Sequence, residues 1–241
     1  REAVAACESA GDLRLACSLR KTQGYYEAEC GAIEEGERTL RACVATASRL
    51  GLLGLEAHAK QDLGCPLIRL GRLDEAEQTQ REALAELTKQ GDRRLLSFTH
   101  GYLSWIHRLR GDHTEAEREA RLALELAPSA PVRLMANSHL ASALLARGDA
   151  AAALATAEEG LRVLREVGPG EDGAPLVLLV AAQARFERGD PEGARDLIRE
   201  AREDVLARAG RISEPTLRAS FLSRFAENVE ILALADAWLG A

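Results

Sequence analysis

The chain has 241 residues, with 31 basic and 38 acidic side chains and a net charge of −7. It contains 44 alanines but only nine aromatic residues, a composition that favours helices over a β-sandwich or barrel. The acidic balance argues against nucleic acid as a partner, and no apolar run approaches the ~20 residues that a membrane helix needs.

The first predicted element is a helix over residues 1–10 that ends at Gly11. Its end is in phase with Gly51 and Gly91, which follow at intervals of 40 residues. We therefore predict that residues 1–11 are the second helix of a truncated preceding repeat. The same observation predicts that the chain is a piece of a longer protein.

Between residues 12 and 213, a glycine follows each predicted first helix at nearly constant distances of 40, 40, 37 and 41 residues. These glycines are Gly31, Gly71, Gly111, Gly148 and Gly189. A glycine just past a helix adopts the left-handed conformation that satisfies the last carbonyl groups. Asp112, Asp149 and Asp190 come next and are suited to cap the following helix. The pattern predicts five repeats, each made of two antiparallel helices.

The repeat pattern of the sequence changes after Gly210. A helix is predicted to begin at Pro215, to break at residues 227–228 and to resume as far as Leu239. Residues 214–241 are therefore predicted to be C-terminal capping helices, which close the exposed core of the last repeat.

With each of the five glycines at position 15, the pattern resembles the tetratricopeptide repeat (TPR). The family's small-residue sites at positions 8, 20 and 27 then fall on Gly24, Gly64, Ser104, Ala141, Ala182, Gly36, Ala76, Ala116, Ala153, Ala194, Cys43, Ala83, Ala123, Gly160 and Ala201. All fifteen are small, as a close crossing of two helices requires. The resemblance implies an all-α fold, a right-handed superhelical solenoid of antiparallel helix pairs with five full repeats, a partial N-terminal repeat and C-terminal capping helices.

The repeat is about six residues longer than the usual 34 of the family. Long repeats of this kind resemble the C-terminal TPR arm of bacterial multidomain signalling proteins, which is linked to kinase or signalling-ATPase domains. The resemblance implies a bacterial, cytoplasmic chain that carries no chemistry of its own.

Catalytic motifs are not found: the sequence has no phosphate-binding loop, no zinc-protease motif, no nucleophile elbow and no kinase signature. The five cysteines show no CxxC spacing and are expected to be small buried residues. His100 and His107 are expected to pack in the core rather than to bind a metal. The acidic clusters within residues 34–37 and 115–119 are expected on solvated outer faces. We therefore predict no enzyme, no cofactor and no metal, although a catalytic domain upstream in a longer protein stays open.

In TPR proteins, the first helices of the repeats line a concave groove that binds partners. Carried over to this sequence, the residues expected to line that groove are Tyr25, His58, Arg69, Phe98, Trp105, Arg108, Met135, Leu145, Leu179 and Phe186. Most of the scarce aromatic residues outside the C-terminal segment fall on this one face, and aromatic and Met side chains are typical anchors of a helix-in-groove site. An alternative stays open, in which Phe221, Phe225 and Trp238 of the C-terminal segment fold back and fill part of the groove.

The leading hypothesis is a protein-interaction or scaffold module, the regulatory or partner-binding arm of a larger signalling protein. It would bind a helical or extended apolar segment, or a neighbouring domain of the same polypeptide, in the groove. The alternative is an effector sensor, in which a small molecule or peptide controls an attached ATPase, kinase or transcription-regulator domain.

Overall fold

The computed structural model describes residues 2–240, and its regular structure within that range is entirely α-helical. In chain order the helices are α1 (Glu2–Ser9), α2 (Leu13–Glu29), α3 (Ile33–Arg49), α4 (Leu53–Arg69), α5 (Leu73–Gln90), α6 (Arg93–Leu109), α7 (His113–Leu126), α8 (Ala130–Ala146), α9 (Ala150–Val167), α10 (Ala174–Glu187), α11 (Pro191–Arg211), α12 (Pro215–Arg224) and α13 (Ala226–Leu239). The predicted fold class, an all-α solenoid of antiparallel helix pairs, is confirmed. None of the helices in this part of the chain is both long and apolar enough to cross a membrane.

The described residues form two compact units, unit 1 up to Thr99 and unit 2 from His100 onward. In unit 1, α2 packs against α3 and α4 packs against α5, and the two first helices α2 and α4 also contact each other. In unit 2, α8 packs against α9 and α10 against α11. The last helix, α13, packs against α10, α11 and α12.

Seven of the twelve joints between the described helices are closed by local hydrogen bonds around a glycine. At Gly71, φ is +73°, and the amides of Gly71 and Arg72 donate to the carbonyls of Ile68 and Leu67 at 2.9 Å. The same pair of bonds occurs at Gly11, Gly31, Gly51, Gly111, Gly148 and Gly189. The predicted left-handed glycines are therefore confirmed, and each joint satisfies the last carbonyls of the helix before it.

The predicted N-caps are also present. The carboxylates of Asp112, Asp149 and Asp190 accept hydrogen bonds from the backbone amides of the third residue after each, at 3.2, 3.0 and 2.9 Å. Asp12 and Asp92 cap α2 and α6 in the same way. Helix starts and stops are therefore encoded locally.

All fifteen small residues at the predicted crossing sites are buried. Large apolar side chains such as Leu40, Leu103 and Ile198 are fully buried beside them. The close approach of paired helices thus leaves the core to be filled by aliphatic side chains rather than by aromatic ones.

The prediction that the acidic clusters are solvated is wrong for Glu37, Glu117 and Glu119, which are buried. Glu34 is exposed, and Glu35 and Glu115 are half-buried. Glu117 is 3% exposed, accepts from Arg121 one turn later at 2.5 Å, and is also ion-paired with Arg147. Glu37 and Glu119 are held by basic partners in a similar way. A buried carboxylate is tolerated when cations and hydrogen bonds compensate its lost hydration.

The predicted break at residues 227–228 is also wrong, since α12 and α13 meet two residues earlier, at Phe225. Asn228 lies inside α13, and its side-chain amide donates to the carbonyl of Phe221 at 3.0 Å. The asparagine therefore stabilises the corner between the two helices instead of ending one of them.

Candidate functional site

We call the surface that the first helices of the pairs form within each unit the first-helix face of that unit. In unit 1 this face consists of α2, α4 and the start of α6, and in unit 2 it consists of the rest of α6 with α8 and α10. The two parts are described separately below.

A buried polar cluster joins α2 and α4 in unit 1. The Nζ atom of Lys21 donates to Nε2 of His58 at 3.1 Å and lies 3.2 Å from a carboxylate oxygen of Asp62. The side chains of Lys21 and Asp62 are only 14% and 8% exposed. The predicted groove residue His58 is therefore half-buried and already bonded within the chain.

The protonation of this cluster is set by burial and by two cations. Burial, and then the charges of Lys21 and Arg94, lower the pKa of His58 from 6.5 to about 4, so the ring is neutral at pH 7. Burial raises the pKa of Asp62 to about 6, although Lys21 and Arg94 oppose this rise. The lysine therefore faces a neutral acceptor and a carboxylate at neutral pH.

A second polar group in unit 1 surrounds Glu29. Its Oε1 atom accepts from the Cys65 thiol at 3.2 Å and lies 3.9 Å from Nη2 of Arg69. The Arg69 side chain is only 7% exposed. Burial, reinforced by the charge of Glu29, raises the pKa of the Cys65 thiol above its usual value. The side chain of Arg69, a predicted groove residue, is thus buried rather than exposed on the first-helix face.

Three aromatic side chains on α2 and α6 of unit 1 stay at least partly accessible. Tyr25 and Phe98 are half-buried, and the Arg94 guanidinium lies 5.8 Å from the centre of the Phe98 ring. Tyr26, which the sequence analysis did not select, is 60% exposed and packs edge-on against Tyr25 at 5.3 Å.

In unit 2, the centre of the face is Trp105 beside His139. Their ring centres are 6.4 Å apart, and His139 fills the space left by the missing side chain of Gly101. A Cβ atom on Gly101 would lie 2.9 Å from Cδ2 of His139. Burial, assisted by the charge of Arg108, lowers the pKa of His139 to about 4.

Arg108 is half-buried on the same face, and burial lowers its pKa. The carboxylates of Glu230 and Glu227 oppose this shift, so both α13 residues lie within electrostatic range of the guanidinium. A basic group on α6 and two acidic groups on α13 therefore share this part of the face.

The predicted groove residues on α8 and α10 differ in how far they are exposed to solvent. Met135 and Leu145 are half-buried, and the hydroxyl of Ser138 lies 3.0 Å from the carbonyl of Gly173 in the loop before α10. Leu179 is only 2% exposed, so its expected role at a partner surface is not available to it. Its side chain contributes to the core because α10 is apolar on nearly all sides.

Phe186 is the most accessible of the ten predicted residues, at 48% exposed. Its ring stacks on Trp238 of α13 with ring centres 4.6 Å apart and an angle of 11° between the planes. Gln183 donates to Glu230 at 2.5 Å close by, and Arg195 donates to the Trp238 carbonyl at 3.2 Å. Trp238 thus covers one side of Phe186, as the alternative reading of the C-terminal segment expected.

Phe221 and Phe225 do not join Trp238 at this position. Their rings pack against each other 4.9 Å apart, and both are buried between α12 and α13. The residues that sequence reasoning missed are therefore Tyr26, Glu227 and Glu230. The two glutamates reach the face only because α13 folds against α10, which no local pattern indicates.

The described residues contain no group of three or more His, Cys, Asp and Glu side chains arranged to hold a metal ion. The nearest approach to a reactive cluster, Lys21 with His58 and Asp62, is bonded internally and buried.

Comparison with solved structures identifies the fold as TPR-like. The Rap conjugation gene regulator of the plasmid pLS20, solved in complex with the Phr* peptide, has a TM-score of 0.64 at 18% identity over 93% of this chain and 65% of that one. A chain of the APC/C hetero-tetramer Cut9-Hcn1 has a TM-score of 0.63 at 16% identity over 93% of this chain and 42% of that one.

The TPR-like repeats of a Podosopora anserina kinesin light chain match over 83% of this chain and 98% of that one, with a TM-score of 0.57 at 17% identity. No protein-family model and no curated protein matches the sequence. These similarities therefore show the architecture alone.

Proposed function

We propose that the chain is a non-catalytic scaffold that binds a protein or peptide segment on its first-helix face. The observation that carries this proposal is the surface of unit 2 around Trp105, Arg108, Met135 and Phe186. It combines half-buried and exposed apolar groups with one basic group, while many surface charges elsewhere are paired with each other. An apolar patch rimmed by charge is typical of a partner-binding surface.

The proposed ligand is a helical or extended apolar segment. Leu109 and Phe186 are 45% and 48% exposed, and Trp105 and Met135 are half-buried. Burying one such side chain in a complex stabilises it by about 1.5–3 kcal/mol. The polar clusters of unit 1 would instead hold α2 and α4 rigid, so that Tyr25 and Tyr26 are presented in fixed positions.

In this proposal the chain is the regulatory or partner-binding arm of a larger bacterial signalling protein in the cytoplasm. Its partner is a segment of another protein or a neighbouring domain of the same polypeptide. Residues 1–11 would complete a preceding repeat, residues 12–213 would form the five repeats, and residues 214–241 would close the last one. The helix joints at Gly11 and Ile212 support these divisions.

A second candidate is an effector sensor that controls an attached ATPase, kinase or transcription-regulator domain. The similarity to the Rap regulator solved with a peptide favours this candidate, because a bound peptide is present in that structure. In this chain, α13 is the element that such an effector would contact together with α10.

Panning a random 12-residue peptide library against the whole chain tests the proposal. Selected peptides are synthesised, and their Kd values are measured by fluorescence anisotropy for wild type, Leu109→Ser and Leu206→Ser. The two leucines are 45% and 43% exposed, but Leu109 lies on α6, a first helix, and Leu206 lies on α11, a second helix. We expect Leu109→Ser to weaken binding about tenfold and Leu206→Ser to leave it unchanged.

Equal Kd values for the two variants would contradict the assignment of the face. If no peptide is selected but small metabolites raise the Tm of the chain, the sensor alternative is favoured over the scaffold.

A further inference from the structure

Two cysteines from different helices meet inside unit 1. Cys17 on α2 and Cys43 on α3 are 1% and 0% exposed, and their Sγ atoms are 3.4 Å apart. Each thiol also lies close to the other's backbone carbonyl, at 3.5 Å from Cys17 Sγ and 3.3 Å from Cys43 Sγ. The side chains therefore point directly across the gap between the two helices.

This geometry is close to that of a disulfide. A disulfide needs its sulfur atoms at about 2.05 Å and its Cβ atoms at about 3.5–4.5 Å. The sulfur atoms must therefore approach by about 1.4 Å, which rotations about the two Cα–Cβ bonds can supply. The backbones are already close because Gly24 and Gly36 occupy the same crossing without side chains.

We propose that Cys17 and Cys43 are an oxidisable pair that closes into a disulfide when the protein meets a peroxide. One thiolate attacks the peroxide and takes one oxygen as a sulfenic acid, while the other oxygen leaves as water. The second thiol then attacks the sulfenic sulfur, the S–S bond forms and a second water leaves. Two thiols and one hydrogen peroxide thus give one disulfide and two waters.

The surroundings make this reaction slow at neutral pH. Burial and the neighbouring Cys17 raise the pKa of Cys43, whereas the charges of Arg20 and Lys21 favour its thiolate. The rate should therefore increase with pH, since the thiolate is the nucleophile. Once formed, the bond would join the middle of α3 to the turn of α2 that precedes Lys21.

Tryptic mapping tests the proposal because trypsin places each cysteine in a different peptide. Cys17 and Cys43 fall in peptides 15–20 and 42–49, whereas the other three fall in peptides 2–14, 22–38 and 61–69. The folded chain is treated with hydrogen peroxide at pH 8, remaining thiols are alkylated in denaturant, and the digest is analysed by mass spectrometry. We expect peptide 15–20 linked to peptide 42–49, and an intact mass lower by about 2 Da.

The chain offers a matched control for folding. The residues equivalent to Cys17 and Cys43 in the next helix pair are Ala57 and Ala83, both buried, so alanine fits both positions. Cys17→Ala or Cys43→Ala should abolish the linked peptide, while the triple variant C7A/C30A/C65A should retain it. Circular dichroism before oxidation verifies that each variant is folded.

The cross-link should raise the Tm of the oxidised chain by about 5 °C, and dithiothreitol should reverse the rise. The proposal is overturned if Cys17 and Cys43 remain alkylatable after the other thiols have been oxidised. It is overturned equally if linked peptides combine the five cysteines at random, since that would mean that the fold does not select this pair.

Discussion

Gly24 and Gly36 face each other where α2 crosses α3, so closely that a Cβ atom on Gly36 would lie 2.6 Å from the Gly24 carbonyl oxygen. The same Cβ atom would lie 2.6 Å from the amide nitrogen of Ala28. Both obstacles are backbone atoms of α2, which cannot move without displacing the helix. The crossing is therefore set by the absence of two side chains.

This contact predicts a large effect of one methyl group. Gly36→Ala should lower the free energy of unfolding by about 2–3 kcal/mol, because overpacking outweighs the better helix propensity of alanine. Urea denaturation followed by circular dichroism measures the change. Gly210→Ala is the control, since a Cβ atom on that helical glycine meets nothing within 4 Å. It should be neutral or stabilise slightly, and an equal loss in both variants would refute the packing argument.

The N-cap of α9 provides a prediction about helix ends. Asp149→Ala should cost about 1 kcal/mol, because the amide of Ala152 loses the carboxylate that accepts from it at 3.0 Å. Asp149→Asn keeps an oxygen acceptor but removes the charge that faces Arg147 at 3.4 Å. Chemical denaturation should therefore find the asparagine variant close to wild type. If both variants lose the same stability, the exposed ion pair matters rather than the cap.

His139 predicts a loss of stability in acid. Its pKa is about 4 in the folded chain and near 6.5 when unfolded, so the unfolded state binds more protons between these values. Stability from this group is complete above pH 6.5 and falls as the pH decreases towards 4. At pH 4.5 the loss is about 2–3 kcal/mol relative to pH 7.

His139→Gln removes the titration and should reduce that loss. Urea unfolding of both proteins at pH 7 and pH 4.5 gives the comparison as a double difference. Identical pH dependence in the two proteins would show that other groups govern acid unfolding.

The stacking of Phe186 on Trp238 predicts that this aromatic pair holds the C-terminal end of α13 against α10. Trp238→Ala should release the C-terminal end of α13 and cost about 1–2 kcal/mol, because an aromatic pair is lost along with its buried area. Hydrogen exchange of residues 226–239 should become faster, whereas Trp238→Phe should retain most of the protection. Unchanged exchange in the alanine variant would mean that contacts with α11 and α12 hold the helix alone.

Much of the fold could be predicted because its determinants recur locally. The glycines at the joints and the aspartates after them act within a few residues, so their spacing is visible in the sequence. The small residues at the crossings repeat every 40 residues or so, and all fifteen are buried.

The site was less predictable because its chemistry depends on distant partners. Glu117 looked like a surface residue, yet it is buried and pairs with the exposed side chain of Arg147, thirty positions later. Leu179 fitted the groove pattern, but its helix is apolar on nearly all sides and buries it. Cys17 and Cys43 have no motif spacing and meet only because α2 and α3 cross at two glycines.

The closure of seven helix joints by their own glycine has a consequence for how such a chain grows. The carbonyls at the end of a helix find their donors within the joint, and the aspartate that follows often begins the next helix. A gene segment copied from one glycine to the corresponding glycine of the following pair would therefore encode the glycines that end its own helices. Tandem duplication can lengthen the protein by one hairpin without leaving any backbone group unsatisfied at the seams.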